Sequence, residues 1–123
     1  HVGLYEAEAQ KKGLEVETYT YNLGEVDRAI LDGEEEGFAR IHIQKGTEKI
    51  LGATIVAAHA GDLINEFSVA MKAGAGAKTI AATIHPYPTR SDVNKKVVNL
   101  WRKAHFTVRT KALLTRLFAW LRR

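Results

Sequence analysis

The segment His85-Pro86-Tyr87-Pro88-Thr89-Arg90-Ser91-Asp92 sets an imidazole, a phenol, a guanidinium and a carboxylate beside the only two prolines of a 123-residue chain. Proline fixes its own φ and pushes the preceding residue out of helical geometry, so His85 and Tyr87 are both expected in extended backbone. An X-Pro bond can also be cis. The segment therefore presents Tyr87 on a stiff support, just ahead of a helix that starts near Thr89 or Ser91. As a pattern alone, such a segment is more often a structural turn than a functional contact.

Other groupings fall short of chemistry. Ala73-Gly74-Ala75-Gly76-Ala77-Lys78-Thr79 has the look of a phosphate loop, but Ala77 separates the second glycine from the lysine. Such a loop must also follow a strand, and this one follows a helical pattern. The dinucleotide fingerprint lacks its third glycine. The five histidines, at 1, 42, 59, 85 and 105, form no i, i+4 pair, and no metal site is expected. There is no Gly-x-Ser-x-Gly arrangement. There is no cysteine, which excludes a redox dithiol, thiolate-bound zinc or a Cys nucleophile within this chain.

The elements that would position the 85–92 segment follow from periodicity. Residues 3–12 read as a short helix with early acids and late lysines, stopped at Gly13. Residues 14–23 read as a strand whose alternation changes phase between Val16 and Tyr19, implying a bulge or an edge position. Residues 24–37, with Glu34-Glu35-Glu36, read as a solvated acidic loop. Residues 38–44 alternate cleanly, and a turn at 45–48 leads to a central strand over 50–58. Leu63, Ile64, Phe67, Ala70 and Met71 mark an amphipathic helix that the 73–77 segment ends; a short helical piece covers 79–84. Val93, Val97, Leu100, Trp101 and Ala104 mark a further helix. The fold class is α+β: one antiparallel sheet of three or more strands with helices on one face.

Charge divides the chain. Residues 1–92 hold 9 Lys+Arg against all 14 Asp+Glu, whereas residues 93–123 hold 9 Lys+Arg and no acid. In residues 107–123, Leu113, Leu114, Leu117, Phe118 and Leu121 fall on one side, and Arg109, Lys111, Arg116, Arg122 and Arg123 on the other. Three readings stay open: the apolar side packs on the same protein, lies on an anionic membrane surface, or accompanies phosphate contacts to nucleic acid. No nucleic-acid module is present, and no nucleic-acid partner is expected. There is no signal-peptide pattern and no run of about 18 apolar residues. The expected location is cytoplasmic, with the tail as a route to the membrane periphery.

In order along the chain, several short motifs resemble the C-terminal dimerisation domain of the flavin-dependent pyridine nucleotide–disulfide oxidoreductases, the group of glutathione reductase, dihydrolipoamide dehydrogenase and mercuric reductase. Val2-Gly3-Leu4-Tyr5-Glu6-Ala7-Glu8-Ala9 is similar to the motif that opens that domain. Arg28-Ala29 and Gly37-Phe38-Ala39-Arg40-Ile41 resemble its next strands. Ile50-Leu51-Gly52-Ala53 through Gly61-Asp62-Leu63-Ile64 resembles the strand that leads into its long helix. The segment around Pro88-Thr89 resembles the family's His-Pro-Thr-x-Ser-Glu motif. The likeness covers residues 2 to about 106, so the chain divides into a dimerisation domain, 1–106, and a basic amphipathic helix, 107–123.

The resemblance implies a homodimer whose proline segment reaches the partner subunit's flavin site. There the family uses a histidine as acid/base toward a cysteine pair carried by another domain. The family's His falls on Tyr87 and its Glu on Asp92, which become the implied catalytic positions; His85, Pro86 and Pro88 become the implied cofactor-binding positions. A phenol with a pKa near 10 does not exchange protons at neutral pH as an imidazole near 6.5 does. Tyr87 is therefore expected to donate a hydrogen bond or line a substrate pocket. Mercuric reductases also carry Tyr there, making mercuric-reductase-like proteins the nearest likeness. They end in a Cys pair, however, where this chain has Trp120-Leu121-Arg122-Arg123, so mercuric ion is not expected as substrate by that route. The Tyr87–Pro88 bond is expected to be cis.

The chain starts at His1 and has no thiols, as expected of a piece of a larger FAD- and NAD(P)H-dependent oxidoreductase serving cell redox homeostasis. Neither cofactor nor activity is expected of the piece alone. The rival expectation is a free-standing α+β binding module whose basic tail attaches to a membrane surface or nucleic acid.

Overall fold

The computed structural model describes residues 1–122, without the side chains of residues 107–109. Four antiparallel strands form one sheet: β1 (Val2–Gly3), β2 (Val16–Asn22), β3 (Phe38–Gln44) and β4 (Ile50–Val56), in the order β1-β4-β3-β2. The alternation of β3 sends Ala39, Ile41 and Ile43 to one face, each fully buried. The helices α3 (Ala60–Leu63), α4 (Asn65–Lys72), α5 (Ala77–Ala82) and α6 (Asp92–Leu121) bring Leu63, Phe67, Ala70, Ile80, Val93, Val97 and Trp101 onto that face. The result is the α+β arrangement expected from the sequence.

The irregularity anticipated in residues 14–23 has two parts. β2 is the edge strand, and its register against β3 is continuous; the bulge lies instead between His42 and Ile43, where β3 meets β4. The phase change in β2 comes from Glu17, which sits on the half-buried face with Tyr19 and Tyr21. There it accepts hydrogen bonds from Tyr19 Oη at 3.0 Å and from His105 Nε2 of α6 at 2.7 Å. These bonds, His105 foremost, hold the Glu17 carboxyl below its ordinary pKa.

Three expectations need correction. Residues 2–3 do not begin a helix: they pair with β4, the Leu4 amide donates to the Leu51 carbonyl at 2.9 Å, and α1 spans Glu6–Lys11. The Glu8 carboxylate reaches back to the Tyr5 amide at 2.8 Å, and that cap sets the helix start. Residues 24–37 are not a plain loop, since they contain a 3₁₀ turn, Leu23–Glu25, and α2, Asp27–Leu31. Leu23, Val26 and Ala29, three residues apart, bury one helical face among the acids.

The third correction concerns the C-terminal third. α6 runs unbroken from Asp92 to Leu121, so the two amphipathic stretches read from the sequence are one helix. Its first half packs on the sheet; the apolar side of the second half does not return to the domain. Leu113, Leu117, Phe118, Trp120 and Leu121 are all exposed. At about 100° per residue, their stripe is rotated by roughly half a turn from the face of Val93, Val97 and Trp101 that enters the core. Arg109 and Arg123, placed by the sequence on the basic side, lie outside the described side chains.

Gly37 delivers the chain from α2 into β3 at φ +118°, and a Cβ there would strike the Val56 carbonyl oxygen. No L side chain relieves both constraints. Gly37→Ala is expected to lower stability by about 2 kcal/mol or more, measured as a fall in the urea midpoint with an unchanged slope.

Candidate functional site

The 85–92 segment is held from two sides. Beneath it, His85 is nearly covered, with 5% of its side chain exposed. Its Nδ1 faces the Thr83 carbonyl at 3.0 Å and its Nε2 faces Glu66 Oε1 at 2.5 Å. Glu66 lies on α4, and its other oxygen accepts from Nδ2 of the fully buried Asn94 on α6 at 2.8 Å; the same nitrogen donates to the Leu63 carbonyl at 2.8 Å. One carboxylate thus joins α4, the proline segment and α6. Both ring nitrogens of His85 thus face oxygen atoms, one of the backbone and one of Glu66.

From the side, α2 supplies two ties. Asp27 Oδ2 accepts from the Tyr87 hydroxyl at 2.6 Å, and Asp32 Oδ2 accepts from Arg90 Nη2 at 2.9 Å. Asp32 also pairs with Arg28 at 2.8 Å, and Glu34 pairs with Arg90. The Arg28 and Arg90 guanidinia hold the Asp32 carboxyl below the usual carboxylate range. Acidic residues expected to be only solvated are therefore anchors. Within the segment, Thr89 Oγ1 donates to the Pro86 carbonyl at 2.6 Å, and the Tyr87–Pro88 bond is cis.

The structure leaves Tyr87 outward, 71% exposed, with Pro86 and Pro88 exposed beside it. His85 supports the segment from beneath and does not share that outer surface. Tyr87 and Asp92 do come together: with Glu25, Asp27, Lys95, Lys96 and Asn99 they line a cleft of about 250 Å³. Asp27 above all, and Asp92 more weakly, raise the Tyr87 pKa above its ordinary value by favouring the protonated phenol. The cleft therefore offers a phenol hydroxyl, three carboxylates, two ammonium groups and an amide; it can orient a polar ligand. Tyr87 itself keeps its proton at neutral pH.

Sequence reasoning missed Asp27, Asp32, Glu66 and Asn94 as members of this constellation. Asp27, Glu66 and Asn94 reach it across 60, 19 and 28 positions of chain, counted to Tyr87, His85 and Glu66 respectively. The one available signal was Glu66 and Asn94 breaking the polar pattern beside the apolar stripes of their helices. Among the described residues, no three His, Asp or Glu side chains are grouped to hold a metal ion, and no helix is long and apolar enough to cross a membrane.

Residues 1–98 match the family model of the pyridine nucleotide-disulphide oxidoreductase dimerisation domain. The chain belongs to that family. It is 37% identical over 105 residues to a dihydrolipoyl dehydrogenase of Mycoplasma pneumoniae, covering 85% of this chain and 22% of that protein. To a mercuric reductase of Streptomyces lividans it is 35% identical, with coverage of 76% and 20%. Among solved structures, the HOCl-induced flavoprotein disulfide reductase RclA from Escherichia coli superposes with a TM-score of 0.75 at 21% identity, over 80% of this chain and 22% of that one. The chain thus spans about a fifth of the length of the relatives it matches. This family match replaces the rival expectation of a binding module of another class.

Two measurements probe the site. Asp27→Asn removes the anion that favours the phenol, so the Tyr87 pKa should fall back toward about 10, read as tyrosinate absorbance during alkaline titration. The sign follows from linkage: the contribution is present below the unfolded value and is lost as pH rises through the higher folded one. Glu66→Ala leaves His85 Nε2 without an acceptor and removes one of the two acceptors of Asn94 Nδ2. It should cost roughly 2–3 kcal/mol and speed amide exchange over residues 83–89, measured by mass spectrometry.

Proposed function

We propose that this chain is the dimerisation domain of an FAD- and NAD(P)H-dependent oxidoreductase resembling mercuric reductase. In this reading it pairs with its own copy across a twofold axis and completes the partner subunit's flavin and disulfide site with the Tyr87 segment. The observation that carries the reading is the position of Tyr87: an exposed phenol on a segment pinned at both ends, in a chain that matches the family over residues 1–98. Rigid presentation of an exposed phenol, tied to its own domain through Asp27, suits a site completed by another subunit.

The described residues form no dinucleotide cradle, because Gly74 and Gly76 follow α4 and precede the six-residue α5. FAD and NAD(P)H would be held by parts of the protein outside this chain, against which Tyr87, Pro86 and Pro88 form one wall. Bound there, the two cofactors supply hydride and electron-pair transfer toward a cysteine pair. The role of Tyr87 is to turn its single hydroxyl hydrogen bond from Asp27 to an acceptor group, in a field where Asp27 and Asp92 favour the protonated phenol. The role of Asp92 is electrostatic and does not require an imidazole to orient. The acceptor class in this reading is a disulfide or another small polar oxidant that fits beside Lys95 and Lys96.

The test uses the whole flavoprotein. Tyr87→Phe should leave flavin reduction by NAD(P)H within about twofold and slow the acceptor half-reaction by roughly tenfold, the size of one lost hydrogen bond. Tyr87→His should add an inflection to the pH–rate profile above the ordinary imidazole value of about 6.5, because Asp27 and Asp92 favour the charged ring. Stopped-flow traces unchanged in both variants would overturn the assignment. Sedimentation showing only monomer would overturn the twofold pairing.

A further inference from the structure

Among the described side chains, the apolar stripe of the second half of α6 is exposed. Between Phe106 and Arg122 it carries Phe106, Leu113, Leu117, Phe118, Trp120 and Leu121 exposed by about half or more, with Trp120 at 72% and Leu113 at 71%. A monomeric soluble surface rarely gathers so many large apolar side chains in one stripe. The stripe is turned away from the core-facing residues of the same helix by roughly half a turn, counting about 100° per residue. No bending short of breaking the helix would return it to the sheet.

Its charges follow the same geometry. Going round the helix at about 100° per residue, Arg116 borders the stripe beside Trp120, while Lys111 and Arg122 border it beside Leu114 and Phe118. The remaining arc presents small residues, Ala112, Thr115 and Ala119. Cations therefore flank the apolar arc on both edges, and the sequence has no acid anywhere after Asp92. The helical run from residue 106 to 122 is about 25 Å long, long enough to lie along a surface.

We infer that the C-terminal half of α6 is an interfacial helix that docks on an anionic lipid surface, with its Leu/Phe/Trp stripe in the headgroup–acyl boundary and its flanking cations against lipid phosphates. Charge complementarity selects this occupant. A second copy laid against the stripe would bring like charges together along both edges. Phosphate contact to nucleic acid would leave the apolar stripe in water. Trp120 and Phe118 suit the interface, and the flanking cations draw the helix to an anionic leaflet. The site at Tyr87 lies at the other end of the helix, near its start at Asp92. Docking would therefore hold the protein at the membrane periphery without involving the Tyr87 cleft.

Vesicle flotation of the full chain tests this, with mixed phosphatidylcholine/phosphatidylglycerol vesicles against pure phosphatidylcholine. The chain should float with the anionic vesicles, and added salt should weaken the binding. Leu113→Glu with Leu117→Glu, both at exposed positions that leave the core intact, should reduce the bound fraction on the order of tenfold or more, as should Lys111→Gln with Arg116→Gln and Arg122→Gln. Circular dichroism confirms that each variant is folded. Three outcomes overturn the inference: no flotation of the parent chain, equal binding to neutral vesicles, or a lipid-free dimer that the double glutamate variant dissolves. None of the three bears on the role of Tyr87.

Discussion

The Glu66 carboxylate is the contact on which the rest of the site depends. One oxygen meets His85 and the other meets Asn94, so a single side chain on α4 fixes the proline segment against the start of α6. Burying a carboxylate is costly unless its lone pairs are filled. Here they are filled by two donors that are themselves nearly or fully covered. That mutual dependence makes the support stiff: displacing the 83–89 segment would leave an imidazole and an amide facing a carboxylate across a gap. His85 therefore supports the segment from beneath, while Tyr87, two residues on, faces outward.

Position 87 stands in a negative field. Asp27 and Asp92 both favour a protonated group there. Those neighbours would also keep an imidazole charged, whereas a phenol in the same field stays neutral and a hydrogen-bond donor. The chemistry available to the segment is then orientation and hydrogen bonding. This agrees with a role in completing a site whose redox-active groups lie elsewhere. The α2 region, with Asp27 and Asp32, supplies both that field and the lateral anchors, which connects an acidic surface feature to the geometry of the site.

α6 occupies two different settings along its length. Its first turns carry Asp92 and Asn94 into the site and Val93, Val97 and Trp101 into the core. Past Phe106 the same helix leaves the domain with its apolar stripe turned outward. The apolar positions 93, 97 and 101 share one face of the helix and those from 113 to 121 share another, about half a turn away.

Much of this could be read from residue order. Two-residue alternation in 38–44, the apolar run after Ile50 and the 3–4 spacing of Leu63, Phe67 and Ala70 specify strands and helices locally, and the order of short motifs specifies the family. Tyr87 stood out because prolines constrain their neighbours through covalent geometry alone, whereas Asp92 was reached only through the likeness to the family's motif. The short β1 strand, the α2 helix within an acidic stretch, and the anchors Asp27, Asp32, Glu66 and Asn94 were decided only in three dimensions. Their partners lie far away in the chain, and a carboxylate read alone looks solvated until the fold brings a donor to it. The fate of the 107–123 stripe was decided in the same way. Sequence defines that it is apolar on one side, but which way that side faces depends on the phase α6 acquires where its first half enters the core.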